Sequence, residues 1–508
     1  MSFATLLENL KVIQPLVVLV VWACALLLVD LFIPKARKGW TALLAAVGLL
    51  LALGLTIAQN GQLNGAFNGM VMVDGFAVFL NALFLGSGLV AIALAYDYLK
   101  RRGIERGEFY TLLLFSISGM LLMAQAADLI VMFLALELLS IPLYVLAGFA
   151  HPQLASEESA LKYFLLGSFA GSFFVFGVAL IFGSTGTTSL AGVATLVAQG
   201  AYNPALLLFG GVLMLIGLGF KVAAAPFHMW TPDVYQGAPS AVTAFMSVGA
   251  KAAGFAALLR IFFATISITA VDLTMVFWVL SGLTMFVGNL VAISQSNIKR
   301  MLAYSSIAHA GYILMALVPF GDSAMAQTAV PGALFYLLTY AVTSLGAWAV
   351  VIALEKAKAA DTSAGESAAD VPAGAVSASD SADGLNIQDY AGLGKKYPAL
   401  AAAMVVFMLS FTGVPPTLGF MGKFYLFKSV IESGYLGLAL IGVLTSLISA
   451  YFYLRIIVMM YFKEGEPTVR REPWLHITAY LAAAAVVVLA LVSTPLLTWA
   501  ESAFLWIF

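Results

Sequence analysis

The chain has 508 residues with a mean hydropathy of +1.01, and 62% of the residues are hydrophobic while only 10% are charged. Soluble globular proteins carry about 25% charged residues, so most of this surface cannot face water. A net charge of −1 excludes a basic surface for nucleic acid, and the single cysteine, Cys24, excludes a disulfide framework or a cysteine-ligated cluster within the chain. The composition predicts an all-α polytopic membrane protein.

Fourteen apolar segments are long enough to cross a membrane, since one span needs about 20 mostly apolar residues. In chain order they are 13–33, 40–58, 73–96, 109–126, 128–149, 159–183, 205–226, 238–262, 271–293, 301–320, 332–354, 398–430, 436–462 and 476–498. An even number of spans places both termini on the same side of the membrane.

The basic residues predict which side that is. The loops after spans 1 and 3 read PKARKGW and DYLKRRGIERGEFY, whereas opposite loops such as QNGQLNGAFNGM contain no Lys or Arg. Lys and Arg accumulate in cytoplasmic loops. We therefore expect both termini on the outer side of the membrane, opposite the cytoplasm.

One segment, 357–386, departs from the membrane pattern. It is rich in Ala, Ser, Asp and Gly and has no aromatic residue. Such a composition cannot bury a core, so the segment is predicted to be a disordered cytoplasmic loop.

The spans group into four predicted parts. Residues 1–108 hold helices 1–3, residues 109–262 form a first repeat of helices 4–8, residues 263–462 form a second repeat of helices 9–13 with the disordered loop, and residues 463–508 hold helix 14. Spans 7 and 12 are five apart, and each joins a proline break to a lysine. Discontinuous helices at corresponding positions are typical of transporters built from inverted repeats.

Seven ionisable residues fall deep inside spans: Glu137, Lys221, Lys251, Arg260, His309, Lys423 and Arg455. A charge at the centre of a membrane helix costs about 2.5–3.5 kcal/mol on insertion scales, so each indicates a function unless a structural role explains it. The two arginines lie nearer to span ends and can extend to the interface, and an always-charged guanidinium is a poor proton carrier. A structural role is expected for both.

Two lysines lie beside helix breaks. Pro226 follows Lys221 by five residues and releases the carbonyl of Val222, because proline has no N–H to donate. In the same way, the prolines of GVPPTLGFMGK release carbonyls just before Lys423. A free carbonyl near a buried lysine is expected to form a polar point in the membrane.

The remaining ionisable groups suggest a proton relay. Glu137 lies near the middle of span 5, Lys251 lies among small residues, and His309 has an unperturbed pKa suited to proton transfer. Glu137 could instead form a structural ion pair, and His309 could be a core histidine bonded to Ser305 or to a neighbouring helix. If Glu137 approaches Lys221, the pair would bind and release a proton as its separation changes.

Four motifs carry a resemblance to a known family. They are LELLSIPLYVL at 136–146, GFKVAAAPFHMWTPDVYQGAP at 219–239, NIKRMLAYSSIAHAGY at 297–312 and GVPPTLGFMGKFYLF at 413–427. In this order they resemble the antiporter-like membrane subunits of respiratory complex I, over essentially the whole chain except 357–386. The resemblance implies about fourteen helices with two inverted five-helix repeats and broken helices 7 and 12. It also implies a proton relay, onto whose positions fall Glu137, Lys221, Lys251, His309 and Lys423.

The resemblance also implies which subunit type and which partners to expect. Among these subunits the chain looks most like the N type, since a lysine at 423 argues against the M type and the short tail after span 14 argues against the L type. The resemblance also implies a bacterial inner membrane, so that both termini would lie on the periplasmic side. We expect no cofactor in this chain, with NADH, FMN, iron–sulfur clusters and quinone in partner subunits. K-type and M-type membrane subunits would be its neighbours.

Two other functions stay open from the sequence. A subunit of an Mrp-type multisubunit cation/proton antiporter would share the lysines, although no additional acidic cluster in the spans favours a sodium site. A self-sufficient transporter of an organic substrate is disfavoured, because no mid-membrane Arg, Asn or Asp has an evident substrate partner. A purely structural scaffold would not need several costly buried charges.

Overall fold

The computed structural model describes residues 3–264, 272–320, 323–356 and 384–503. The first helices are α1 Phe3–Val12, α2 Gln14–Asp30, α3 Gly39–Ala58, α4 Gly75–Arg101, α5 Glu108–Gln125, α6 Leu129–Ala147 and α7 Leu154–Thr185. They are followed by α8 Leu190–Ala198, α9 Pro204–Val222, α10 Trp230–Gly237, α11 Ser240–Phe245, a π-helical turn Met246–Ala250, α12 Lys251–Ala264, α13 Thr274–Ile293 and α14 Ile298–Leu314. The last helices are α15 Ser323–Leu354, α16 Leu393–Lys396, α17 Pro398–Thr412, α18 Leu418–Glu432, α19 Leu436–Phe462, α20 Pro473–Leu491 and α21 Thr494–Ser502.

Short elements complete the described chain. Strands β1 Asn64–Ala66 and β2 Val71–Val73 form an antiparallel hairpin between α3 and α4. Single 3₁₀ turns lie at Lys35–Arg37, Met315–Leu317 and Ile387–Tyr390. The sequence analysis missed the hairpin, α1 and α8, because short elements in loops have little periodicity.

The helices confirm a polytopic membrane protein. Eleven helices of the described chain are long and apolar enough to span a membrane, and α1 with α2, bent by 93°, would make a twelfth. Helix α14 has 17 residues and α17 has 15, both too short to be counted on length alone. The count of fourteen spans and the four domain boundaries therefore stay predictions.

Both predicted helix breaks are present. Helix α9 ends at Val222, where Ala223 takes a left-handed conformation with φ of 61°. Helix α17 ends at Thr412, where Gly413 has φ of 86°, and α18 begins only at Leu418. Prolines within these breaks cannot donate a backbone hydrogen bond, so neither helix can continue through them.

Two spans form the centre of the molecule. Residues 240–263, which include α11 and most of α12, are buried inside the protein throughout, and α15 is nearly as buried. Small residues permit this packing, since a Cβ on Gly254 would lie 2.8 Å from Cγ1 of Val222 in α9. The small residues around Lys251 thus allow α9 and α12 to approach closely.

The predicted disordered loop 357–386 is corrected at its end. Residues 357–383 lie outside the described residues. Residues 384–386 are ordered, because Ile298 N donates to Leu385 O at 2.8 Å and Ile387 N donates to Ser296 O at 2.9 Å. These backbone bonds attach the returning chain to the start of α14, which composition alone could not reveal.

Candidate functional site

Lys221 occupies the last turn of α9 and is almost fully buried. Its Nζ donates to Ser140 Oγ of α6 at 2.7 Å and to Tyr163 OH of α7 at 3.2 Å. The sequence analysis expected the released carbonyl of Val222 to form a polar point with Lys221. In the described structure this carbonyl does not accept a hydrogen bond from the lysine. Instead, the neighbouring Phe220 O accepts from the indole of Trp230 at 2.9 Å. Hydroxyl groups therefore surround this ammonium.

Glu137 lies near Lys221 but does not pair with it directly. The two groups are close enough to interact electrostatically, yet no ion pair joins them within the described chain. Ser140, which accepts from Lys221, follows Glu137 by three residues and so lies on the same side of α6. Gly171 of α7 leaves room for the carboxylate, since a Cβ there would lie 3.1 Å from Glu137 Oε1. Glu137 and Lys221 are thus near each other, as the relay hypothesis requires, and Lys221 donates to Ser140 of the same helix.

Lys251 begins α12 directly after the π-helical turn and is buried in the centre of the molecule. Its Nζ donates to the carbonyl of Ser306 and to Ser306 Oγ at 2.9 Å. The ring of Tyr340 lies 5.9 Å from the same Nζ. Lys251 is therefore attached to α14 on one side and to α15 on the other. A π-helical turn at this point is typical of a functional site.

His309 lies in α14, three residues after Ser306, and both ring nitrogens have partners. Nδ1 is 2.6 Å from Tyr336 OH, and Nε2 is 3.1 Å from Tyr453 OH. Of the two partners that the core hypothesis allowed, neighbouring helices supply the direct contacts. Ser305 is connected to His309 only indirectly, because Ser305 Oγ contacts the phenol of Tyr453 at 2.5 Å. Both hypotheses for His309 keep their basis: it is a satisfied core histidine, and its partners are groups that can exchange protons.

Lys423 in α18 is held at the second break. Its Nζ donates to the carbonyl of Thr412 at 3.1 Å and to Ser446 Oγ at 3.0 Å. The ring of Tyr312 lies 4.6 Å from the same Nζ, and Ser446 Oγ donates to Tyr312 OH at 3.1 Å. Pro416 cannot donate to the carbonyl four residues before it, so Lys423 takes that acceptor. Here the predicted meeting of lysine and freed carbonyl is confirmed.

Helix α14 connects Lys251 with Lys423. Ser306, His309 and Tyr312 are three residues apart and share one face of the helix. Ser306 binds Lys251 and Tyr312 contacts Lys423, while His309 lies between them and interacts electrostatically with both lysines. The sequence analysis singled out only His309. The spacing of SSIAHAGY could have indicated the other two.

Tyrosines form most of the remaining wall, and the sequence analysis missed them: Tyr144, Tyr163, Tyr312, Tyr336, Tyr340 and Tyr453. A small cavity of about 10 Å³ lies among His309, Tyr336 and Ser410, close to the volume that one water needs. Apolar-looking aromatic residues in spans are usually lipid-facing or core residues, so only their three-dimensional position identifies them.

The prediction that Arg260 extends to the membrane interface is wrong. It is fully buried, and both of its terminal nitrogens bind the carboxylate of Asp74, at 2.9 and 3.0 Å. Its Nε and Nη2 also donate to Ala124 O. The structural role is confirmed, but the mechanism is a buried bidentate pair. Arg455 is also structural, donating to the carbonyls of Ile293 and Gln295 at the end of α13.

Replacing Asp74 with alanine should destabilise the protein by about 3–5 kcal/mol, because Arg260 would keep an uncompensated buried charge. Asp128 is the matched control: it caps α6 much as Asp74 caps α4, but forms no ion pair among the described residues. Asp128→Ala should cost only about 1 kcal/mol. Unfolding of the detergent-solubilised protein measures both, and equal losses would contradict a dominant ion pair.

A second group of ion pairs is centred on Asp233, which lies between two predicted spans on the side of the membrane that carries the basic loops (the basic-loop side). Asp233 of α10 contacts Lys162 of α7 at 2.9 Å and Arg300 of α14 at 2.7 Å. Burial opposes the ionised form of Asp233, but these two cations outweigh it and hold the pKa of the carboxyl below its usual range. Asp233 thus has a structural role, since it joins α7, α10 and α14.

Comparison with known proteins places this arrangement in a family. Residues 126–449 match the family model described as NADH:quinone oxidoreductase/Mrp antiporter, TM. NADH-quinone oxidoreductase subunit N of Trichlorobacter lovleyi is 48% identical over 480 residues, covering 94% of this chain and 92% of that protein. Subunit N of Chloroflexus aggregans is 46% identical over 499 residues, covering 97% and 96%.

Solved structures agree with the sequence relatives. A chain of respiratory complex I from Thermus thermophilus with bound aureothin has a TM-score of 0.79 at 34% identity, covering 96% of this chain and 99% of that one. A chain of the Mrp complex from Dietzia sp. has a TM-score of 0.80 at 19% identity, covering 98% and 97%, which shows a shared fold alone. This chain belongs to the subunit N family of NADH-quinone oxidoreductase, the respiratory complex I.

Proposed function

We propose that the chain translocates protons through Glu137, Lys221, Lys251, His309 and Lys423, driven by quinone reduction in other subunits of the complex. The observation that carries the proposal is the succession of polar contacts along α14, from Lys251 through His309 to Lys423. A membrane subunit that served only to hold its neighbours would not need this buried succession, since each buried charge costs free energy.

The chemistry of the contacts suits proton transfer. Lysine can only donate, but a serine or tyrosine hydroxyl both donates and accepts, so it can receive a proton on one side and give one on the other. Each of the three lysines donates to at least one hydroxyl: Ser140 and Tyr163, Ser306, or Ser446. Each lysine therefore has a hydroxyl oxygen within hydrogen-bond distance, which supports the proposal.

The two halves of the relay meet between α9 and α12. A Cβ on Gly254 would lie 3.4 Å from Cβ of Lys221, and Gly254 follows Lys251 by three residues on the same helix. Three residues correspond to about 4.5 Å along a helix axis. The helices that carry Lys221 and Lys251 are therefore in direct contact, which supports a water link between the two lysines.

Two exposed features support assembly with other membrane subunits. Glu137 lies on a face of α6 whose other members, Ile130, Leu134, Ile141 and Val145, are exposed. A cavity of about 610 Å³ opens beside Lys423. Ionisable groups at membrane depth are rarely left facing lipid. We infer that neighbouring subunits, of K and M type, cover these two faces.

The setting of the relay follows from the same proposal. NADH, FMN, iron–sulfur clusters and quinone bind to partner subunits, and this chain contributes the translocase part of the enzyme. The basic loops face the cytoplasm of a bacterium, which puts both termini on the periplasmic side of the inner membrane.

A native gel tests the assembly. The tagged chain, extracted in mild detergent, should co-migrate with a large flavin-containing complex that stains for NADH dehydrogenase activity. Migration as a smaller assembly inactive with NADH would contradict the proposal and favour the second candidate, a subunit of an Mrp-type antiporter, whose fold this chain shares. Migration as a lone chain would contradict both.

A further inference from the structure

A buried polar stripe leads from the basic-loop side to Lys251. Ser240, Thr243 and Ser247 precede Lys251 at intervals of three, four and four residues, so all four share one helix face. The three hydroxyl residues are buried. The relay described above does not use them.

A carboxylate lies at the end of this stripe that is on the basic-loop side. The phenol of Tyr98 in α4 accepts from the backbone N of Ser240 at 3.1 Å and donates to Glu355 Oε1 at 3.2 Å. Glu355 directly follows α15 and is only 3% exposed. Tyr98 thus joins the start of α11 to a buried acid.

Glu355 and Ser240 both have unused hydrogen-bonding capacity. Glu355 Oε2 and Ser240 Oγ are buried and have no hydrogen-bond partner among the described residues. The ion pair of Glu355 with Arg102 is long, at 3.9 Å. Arg101 beside it, by contrast, contacts Glu472 at 2.7 Å. Buried polar groups normally find partners, so these two indicate a place for transient water or a transferred proton.

Helix α15 forms the second wall of the same route. Ser344 Oγ lies 3.1 Å from Ser247 Oγ, and the ring of Tyr340 lies beside Lys251. Helical spacing places three polar residues on one face of α15 and its continuation, since Tyr340, Ser344 and Glu355 are separated by four and eleven residues. Polar groups of two facing helices therefore extend from Glu355 to Lys251.

We infer that Glu355 and Tyr98 form the entrance through which protons from the basic-loop side reach Lys251. The inference rests on the proposed function and adds its intake route. Glu355 takes up a proton from hydronium on the basic-loop side, which becomes water. The carboxyl passes the proton on and is ionised again, and each water or hydroxyl of Ser240, Thr243 and Ser247 gains one proton and gives up another. The net change is one proton moved from the solvent to the neutral amine of Lys251.

The test uses the whole complex in vesicles, with NADH-driven membrane potential as the readout. Glu355→Gln should lower the initial rate of potential formation at least about threefold per NADH oxidised. Glu472→Gln is the matched control, because Glu472 also pairs with an arginine of α4 but does not contact Tyr98 in the described structure. It should keep the wild-type rate.

Two further measurements separate proton intake from a structural role. Formate added on the basic-loop side should restore part of the rate in Glu355→Gln and leave wild type unchanged, since a small acid can replace a missing carboxyl. Tyr98→Phe, which keeps the ring packing, should also lower the rate. It decides the matter if Glu355→Gln does not assemble.

The outcomes distinguish this inference from the function on which it rests. Wild-type rates in both Glu355→Gln and Tyr98→Phe, with a low rate in Lys251→Ala, would overturn the entrance alone. A wild-type rate in Lys251→Ala would overturn the proposed relay itself. A lowered rate without any rescue by formate would overturn the entrance in favour of a structural role for Glu355.

Discussion

Replacing Lys221 with alanine is expected to lower NADH-driven proton translocation about tenfold or more while the complex stays assembled. Among the described residues the ammonium donates to the hydroxyls of Ser140 and Tyr163 and forms no direct ion pair. Half-buried Glu137 interacts with it only at longer range, so no carboxylate loses a hydrogen bond when the lysine is removed. Translocation should fall because the first half of the relay loses its proton carrier. Proton movement into vesicles, normalised to NADH oxidation, is the measurement.

Lys221→Arg is the informative control for this prediction. Arginine keeps the positive charge and can still donate to hydroxyls, but its guanidinium does not release a proton under physiological conditions. If Lys221 carries protons, Lys221→Arg should be nearly as impaired as Lys221→Ala. Full translocation in either variant, in assembled complex, would remove Lys221 from the proton route.

Lys423→Ala is expected to have an effect of similar size, about tenfold or more. Lys423, in α18, is the lysine at the end of the row of contacts that begins at Lys251 and follows α14. It contacts both Tyr312 and the freed carbonyl of Thr412. Its loss should stop protons from leaving the second half of the relay. The same vesicle measurement applies, and Lys428→Ala, an exposed lysine paired with Glu432 in the same helix, is the control that should translocate normally.

The double variant Lys221→Ala/Lys423→Ala sharpens this prediction. Groups that act in series are strongly non-additive, because one block already stops the flow. The double variant should therefore translocate about as slowly as either single variant. A loss equal to the product of the two single losses would contradict a single series path and indicate two independent routes.

The sequence predicted the membrane class, the two helix breaks and the buried lysines because these features cost free energy. A lysine in an apolar run and a proline in a span both stand out against their neighbours. Lys423 shows how far this reasoning extends, since even its contact with a freed carbonyl of the break is as expected. Lys221 shows its limit, because two hydroxyls from other helices bind it.

The missed residues are those whose role depends on which helices are neighbours. Tyr336 and Tyr453 contact His309 from 27 and 144 residues away in the chain, a separation that no local pattern reports. Asp74 is 186 residues from Arg260, so the buried pair could not be seen from either residue alone. Lipid-facing and buried spans are equally apolar, which also concealed the central position of α12 and α15.

Lys251→Ala in the assembled complex tests the central claim most directly, because Lys251 binds Ser306 of α14 and its helix packs against the helix of Lys221. The measurement is the number of protons translocated per NADH oxidised, in vesicles that hold the intact complex. The proposed relay predicts that translocation through the variant falls sharply, while the complex keeps its size on a native gel. An unchanged number of protons at an unchanged rate would show that protons do not pass through Lys251.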